Sequence, residues 1–554
     1  MKIKRTLMAP LLVAATAMAT GGWFLQQGVG QERNIYANAR LFEDVLRFVS
    51  EHFVDAKQPS DLYQMAITGM LDELGDPHTS LMPARDYERL RMQTQGEYGG
   101  IGVQIDRRNG WITVIAPLPG TPGERAGLRA GDQIIEVDGE TTRDWDTEMA
   151  VSHLRGAKGT KVNILVARVG ADQPIPIQIT REEIHIQAVP SAYMMEGNVG
   201  YVELVSFSES STDELKQAVQ KLRSEGARGV ILDLRRNPGG LLDQGVTVAD
   251  LFLDRGLVVS ETKGRSQNQN LRMAARTADQ FPGLPIAVLV EPLSASASEI
   301  VAGALQDHDR ALVLGRTTYG KGSVQTLFPL SGQNWLKVTT ARWYTPVGRS
   351  IQKPYGIDAG HPVEIGDESP AEAATDLTER PQFQTAGGRT VYGGGGIHPD
   401  LVITPDTLTL DERAYRMATL RSAGFRGAQT AFAVAMIRQN PDLQPGFEVT
   451  DAMRDAYYQQ LRRSDVAIER TAFDGALHWV DQEIGYEITY SKWGELAARK
   501  RINADDAQVS VAADLLRRAT SPQSLFTLAA DYDTGEQVET ASRAAAARTV
   551  PAQR

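Results

Sequence analysis

The 554-residue chain carries 58 basic against 69 acidic side chains, a formal net charge of −11, with 42% hydrophobic residues. At ~100–200 residues per domain this is length for about three or four domains of ordinary globular composition. The acidic balance lacks the basic footprint that a phosphate backbone needs, so nucleic acid is excluded as a partner. The absence of cysteine rules out disulfides, zinc–thiolate sites, iron–sulfur clusters and cysteine nucleophiles.

Lys2, Lys4 and Arg5 precede an uncharged stretch from Thr6 to Gln26, apolar at its heart and with small residues at Ala17-Met18-Ala19. That is the layout of a secretory signal. Left uncut, the stretch through Phe24 just reaches across ~30 Å of hydrocarbon, with its basic start on the cytoplasmic side. Residues 1–26 therefore predict export to a periplasmic or other extracytoplasmic compartment, as a cleaved signal peptide or as an anchor to the inner membrane.

Residues 35–83 read as helical: Leu41, Val45, Phe48 and Val49, then Leu62, Met65, Ala66, Met70 and Leu74, recur at helix spacing, and Gly75-Asp76-Pro77 stops the second run. After a linker at 83–95, residues 96–182 turn to short β-branched runs with an Asp138-Gly139 hairpin turn, a small β-rich module. From 184 to 405 strands and helices alternate, which predicts an α/β layer. Ser211-Thr-Asp-Glu214 forms a capping box before one helix, and Val230–Leu234, Ile286–Val290 and Leu312–Leu314 are apolar strands. The polar, Gly/Pro-rich stretch 357–396 predicts a flexible insertion. Thr409-Leu-Asp-Glu412 opens a helical C-terminal extension over 406–530, and the Ala-rich tail 531–554 predicts disorder.

Eight histidines are scattered with no pair at the spacing of His-Glu-x-x-His, and no Gly-x-Ser-x-Gly elbow occurs. No metal or cofactor is expected. Gly315-Arg-Thr-Thr-Tyr-Gly320-Lys321 imitates a phosphate loop, but Gly322 stands where Ser or Thr would hold magnesium, and Val324–Phe328 looks extended rather than helical. Ser350-Ile-Gln-Lys353 has the Ser-x-x-Lys pattern without its companion motifs. The richer constellation is Ser294-Ala-Ser296-Ala-Ser298-Glu299, after an apolar strand, with Gly320-Lys321-Gly322 following. A small-residue turn from strand into helix presents a hydroxyl at a helix N-terminus, where free N–H groups can hold an oxyanion. A lysine is the remaining activator for such a serine. Its free pKa of about 10.4 makes it a poor base near neutrality unless burial penalises the charged form. On these grounds alone, a serine helix cap beside a surface lysine remains the alternative.

The run Ser294–Asp307 followed by Gly320-Lys321-Gly322-Ser-Val-Gln325 resembles the carboxy-terminal-processing, or tail-specific, peptidases. Asp233-Leu-Arg-Arg-Asn-Pro-Gly-Gly240, Trp343–Gln352 and Gly396-Ile-His-Pro-Asp400 match the family's core, and Gly99-Gly-Ile-Gly-Val103 with Ala126–Ile135 match its PDZ domain. The resemblance spans residues 35–405 and implies an α/β core of the ClpP/crotonase-like type with an inserted PDZ domain at 96–182 and helical N- and C-terminal segments.

Carried over by position, it makes Ser296 the nucleophile, Lys321 its general base and Gln325, a helical-turn-like step further on, the group that orients the lysine amine. The oxyanion hole falls to the backbone N–H of Ala297 with that of Gly239 or Gly240. Asp307 takes a structural or supporting role. Arg236 stands where many relatives have Asn. The implied partners are protein or peptide substrates, engaged through their C-termini by Gly100, Ile101, Gly102 and Val103 of the PDZ loop, with Met149, Val151 and Leu154 near the pocket. Membrane association through the N-terminus and self-association through the helical segments are further expectations. The resemblance implies an exported serine endopeptidase; the competing class is a catalytically silent PDZ scaffold, which replacement of Ser296 or Lys321 would favour.

Overall fold

The computed structural model describes residues 36–532 apart from 109, 169, 354, 359–360, 365–376, 378–379, 405–407 and 423. The expected signal at 1–26 and nearly all of the tail at 531–554 lie outside the described residues. Among those described, no helix is long and apolar enough to cross a membrane. The chain divides into two compact units, one of residues 1–82, 327–338 and 355–363, the other holding the rest.

In the smaller unit, helices over 36–52 and Pro59–Asp72 follow the predicted spacing, and strand Ser80–Met82 pairs antiparallel with Trp335–Lys337. The apolar positions do not form the buried face that the periodicity suggests. Leu62 and Leu71 are buried, while Leu41, Val45, Phe48, Val49, Met65 and Met70 are exposed.

The larger unit is built on a six-stranded sheet, in the order Ser191–Met195, Val199–Glu203, Gly229–Asp233, Ile286–Val290, Leu312–Gly315 and Leu401–Val402. The first pair is antiparallel and the others parallel. Four strands are buried at every residue, the signature of a parallel sheet covered on both faces. Val202, Leu232, Val288 and Val313 face helices Ser211–Ser224, Leu242–Asp250 and Ala297–Asp307. The alternate residues Tyr201, Ile231, Leu289 and Leu314 face Val509, Leu515 and Leu525 of helices Ala507–Arg518 and Pro522–Tyr532. The C-terminal extension is thus not an appendage throughout. Its last two helices close the second face of the sheet, which residues 184–405 cannot cover, and each such buried Leu or Val contributes about 1.5–3 kcal/mol.

The β-rich module is a sheet in the order Val103–Arg108, Trp111–Pro117, Gln133–Val137, Lys161–Ala167 and Ile175–Thr180, around Ile112, Val114, Ile134 and Ile164. Helix Thr147–Leu154 is capped by Asp146, whose Oδ1 accepts the Met149 N–H at 2.7 Å. Helices from Leu410–Arg421 to Leu477–Trp493 enclose a separate core of Tyr415, Phe432, Tyr457, Phe473 and Ile484.

Four local expectations are corrected. The linker expected at 83–95 is helix Ala84–Gln95, which ends at Gly96 in the left-handed region. Ser211 does not cap its helix as the box predicts. Its hydroxyl donates to the Ser206 carbonyl and accepts the Ser208 N–H, while Ser210 bonds Glu214. Gln325 lies on strand Ser323–Pro329, not one helical turn from Lys321, because the β-branched run there pairs with Trp335–Tyr344. The expected flexible insertion includes strands His361–Glu364, Gln382–Gln384 and Thr390–Tyr392, and a glycine turn at 393–396 bonded to Pro381, Ser350 and Ile351.

Candidate active site

Strand Ile286–Val290 ends in the sheet interior, and the chain turns sharply at Ser296 (φ 55°, ψ −112°) into helix Ala297–Asp307, every residue of which is buried. Positive φ is strained for a residue with a Cβ and persists only where the surroundings over-determine it. Those surroundings are visible. Ser294 Oγ donates to the Leu234 carbonyl at 2.8 Å, Ser298 Oγ to the Asn237 carbonyl at 2.8 Å, and the Ala295 N–H to that same carbonyl at 3.1 Å. Ser294 and Ser298 are buried with their hydroxyls engaged; Ser296 is the member of the trio that reaches the surface.

The loop after strand Gly229–Asp233 packs against this elbow. A Cβ on Gly239 would sit 2.8 Å from Ser296 Cβ and 2.9 Å from Ala297 N, so only glycine admits the approach. Asn237 organises the loop: its amide donates to the Leu204 carbonyl at 2.8 Å and its oxygen accepts the Gly239 N–H at 2.9 Å. That bond engages one of the two glycine N–H groups expected to serve with Ala297. Among the described residues, neither Ala297 nor Gly240 gives its N–H to another group. Behind the loop, Asp233 accepts from Tyr201 Oη at 2.7 Å and from Arg235, which also reaches Asp506 at 2.6 Å. Burial alone would raise Asp233, but the Arg235 guanidinium and these hydrogen bonds hold its carboxyl below the usual range.

Lys321 lies on irregular chain between strands Leu312–Gly315 and Ser323–Pro329, and its position is imposed from outside. Trp343 Nε1 donates to the Lys321 carbonyl at 3.0 Å, Gln352 Oε1 accepts the Gly322 N–H at 2.9 Å, and the Thr318 N–H and hydroxyl bond the Ile397 backbone. These contacts account for the Trp343–Gln352 and Gly396–Asp400 motifs. Gln325 Nε2 donates to Ser323 Oγ at 2.9 Å and Thr339 Oγ1 at 3.3 Å, which leaves its carbonyl oxygen as the end able to receive an amine N–H.

One residue to which the sequence reading gave no role joins the two segments. Glu299 is wholly buried, and its carboxylate accepts the Ser296 N–H at 2.8 Å, the Lys321 N–H at 2.9 Å, the Gly320 N–H at 2.7 Å and the Thr318 hydroxyl at 2.6 Å. The Ser296 and Lys321 amides share a single oxygen. Burial pushes the Glu299 carboxyl up to about 7 against those four donors. The signal was present in the Ser-x-x-Glu pattern from Ser296 to Glu299, since an acid at that offset reaches back to the residue before the helix. Asp307 is at the far end of this helix, ion-paired with fully buried Arg349 and accepting the Val347 N–H, away from the serine.

In the PDZ module Ile101 is buried in the core, and its carbonyl accepts the Gly123 N–H at 2.7 Å. Gly102 (φ 70°) presses against Thr121, and Val103 begins the edge strand, with Met149 exposed on the nearby helix.

Residues 198–362 match the model of peptidase family S41, and residues 89–167 match that of the PDZ domain. A carboxy-terminal-processing protease of Bartonella bacilliformis is 41% identical over 350 residues, covering 62% of this chain and 78% of that protein. A probable CtpA-like serine protease of Staphylococcus aureus is 32% identical over 346 residues, 62% of this chain and 69% of that one. Among solved structures, a photosystem II D1 C-terminal processing protease aligns with 58% of this chain and 91% of its own at 30% identity, with a TM-score of 0.32. With its serine elbow, its lysine loop and a PDZ module in one chain, the protein belongs to the carboxy-terminal-processing serine proteases of peptidase family S41.

Proposed function

We propose that Ser296 Oγ attacks the scissile carbonyl while its proton passes to the Lys321 amine, which then delivers it to the departing amine. The oxyanion forms at the helix N-terminus, against the N–H groups of Ala297 and Gly240, with Gly239 held by Asn237 as the close-packed neighbour. Water then releases the acyl group from Ser296. Gln325 orients the lysine amine without adding a charge that would hold it protonated. The observation that carries this reading is the Glu299 carboxylate, which takes the Ser296 and Lys321 amides on one oxygen. The parallel sheet, with a buried helix running from the nucleophile, supports a core of the ClpP/crotonase-like type.

The PDZ module engages the free C-terminus of the substrate. Val103–Arg108 is the edge strand of its sheet, open to an added peptide strand, and the glycines before it allow a carboxylate to approach backbone N–H groups. Export through residues 1–26 is part of the proposal and rests on the basic-then-apolar sequence there. Membrane association through that segment and self-association through the helical segments complete it; exposed Leu41, Phe42, Val45 and Phe48 support the second.

The test is incubation with an unfolded protein ending in Val-Ala-Ala, in its amide, or in Asp-Asp, with products read by mass spectrometry. Wild type cleaves the first fastest. Ser296→Ala and Lys321→Arg lose several orders of magnitude, the latter because a guanidinium does not give up its proton near neutrality. Full cleavage by either variant overturns the mechanism, and equal rates for the three ends below KM overturn the PDZ role.

A further inference from the structure

Between the PDZ sheet and the C-terminal helices lies a cavity of about 1940 Å³, roughly twice the upper end of small-molecule sites. One wall is the edge strand Val103–Arg108 and the sheet face beyond it. The opposite wall is formed by helices Leu410–Arg421, Phe425–Gln439, Asp451–Arg463 and Leu477–Trp493. The walls are fixed to each other at the margin. Tyr490 Oη donates to Gln104 Oε1 at 2.5 Å, Arg108 donates to Thr430 Oγ1 at 3.0 Å, and Thr430 Oγ1 donates to Glu487 at 2.6 Å. The cavity also reaches Arg236, three residues before Gly239 of the loop against Ser296.

Its charge runs against that of the chain. Ten arginines and six carboxylates line it, in a protein whose net charge is −11. Several of the carboxylates are already engaged: Asp132 pairs with Arg168, Asp106 lies 3.6 Å from Arg108, and Glu483 accepts the Tyr415 and Tyr457 hydroxyls. Arg107, Arg129, Arg426, Arg438 and Arg463 are exposed and form no ion pair among the described residues. A concave wall with an excess of positive charge focuses its field on whatever enters, and the space exceeds what a small ligand fills. The free edge strand on one side suits an extended polypeptide.

We propose that this cavity receives the unfolded substrate chain upstream of its PDZ-bound end, and that its arginines select substrates with acidic residues there. The inference rests on the protease reading above and adds a substrate class to it. The C-terminal helices, which supply Arg426, Arg438 and Arg463, then act in specificity as well as in packing.

The test uses the full chain and unfolded substrates with one cleavage region and one Val-Ala-Ala end. A tract of four Glu, four Ser or four Lys is placed at successive positions upstream. Binding is measured by fluorescence anisotropy on the Ser296→Ala chain, and KM and kcat on wild type. At low salt the Glu chain should bind about tenfold more tightly than the Ser chain, and the Lys chain more weakly, with the spread shrinking at high salt. The triple variant Arg426→Gln, Arg438→Gln, Arg463→Gln should lose most of that preference at unchanged Tm, its kcat/KM on the Glu chain falling towards that on the Ser chain; Lys at the three positions should restore it. Equal binding of the three tracts overturns the proposal, as does a preference that survives the triple Gln variant. Preferential binding without any cleavage by wild type would instead count against the protease mechanism and leave the acidic selectivity standing.

Discussion

The serine and the lysine are positioned by opposite means. Ser296 is set by contiguous chain: a buried strand, a strained turn and a buried helix, with the neighbouring serines bonding to the next loop. Lys321 sits on irregular chain whose supports come from Glu299, Trp343, Gln352 and the turn at Ile397. The difference teaches where each is vulnerable. The geometry of Ser296 belongs to the core of the sheet and fails when the core fails, whereas Lys321 can be displaced from segments far away in sequence. Glu299 stands on both sides, in the serine's helix with its carboxylate on the lysine's loop.

Removing that carboxylate is the most severe way to break the comparison. Glu299→Ala leaves four donors in the interior without an acceptor, at about 1–3 kcal/mol for each that water cannot reach. We expect a loss of roughly 3–6 kcal/mol in denaturant unfolding and activity reduced at least about a hundredfold. An active, fully stable variant would show the two segments to be independent.

Asn237→Ala tests the serine's side alone. It frees the Gly239 N–H and the Leu204 carbonyl while the main-chain bonds of Asn237 to Ala295 and Ser298 remain. The expectation is about 1–3 kcal/mol of stability and a fall in kcat with KM nearly unchanged. A rise in KM alone would place the effect on binding instead.

A subtler probe is pH. Glu299 is raised from an ordinary value of 4.5 to about 7, so between those values the folded chain holds a proton that the unfolded chain has lost. Its contribution therefore favours folding on the acidic side and weakens as pH rises through that window, by about 3 kcal/mol. Glu483, also pushed up to about 7 by burial, acts in the same direction. Stability measured from pH 5 to 8 should fall less steeply in Glu299→Gln than in wild type; identical slopes would contradict the assignment.

The same contrast explains what could be read in advance. Strand Ile286–Val290, the serine run and the helix after it are contiguous, so periodicity and small residues disclose them. The PDZ strands were legible for the same reason: Gln133–Val137 and Lys161–Ala167 appear where alternation and the Asp138-Gly139 turn put them. The supports of Lys321 were motifs without a visible role, because a hydrogen bond between Trp343 and the Lys321 carbonyl leaves no local pattern. Helical spacing from Lys321 to Gln325 conflicts with the extended pattern of Val324–Phe328, and the pairing with Trp335–Tyr344 decides for the strand. Helix Ala507–Arg518 read as part of an extension, since only tertiary structure shows that the second face of the sheet requires it. In helices 36–52 and Pro59–Asp72 the apolar spacing gave the right element and the wrong burial.

The central claim is that Ser296 is reactive because Lys321 activates it across the loop that Glu299 holds. A fluorophosphonate that labels activated serines tests this without any substrate, with the adduct mapped by mass spectrometry in folded wild type, Lys321→Ala and Glu299→Gln. The account predicts one adduct on Ser296 in wild type, slower labelling in Glu299→Gln and none above background in Lys321→Ala. Labelling of Ser296 at the wild-type rate in Lys321→Ala would contradict it.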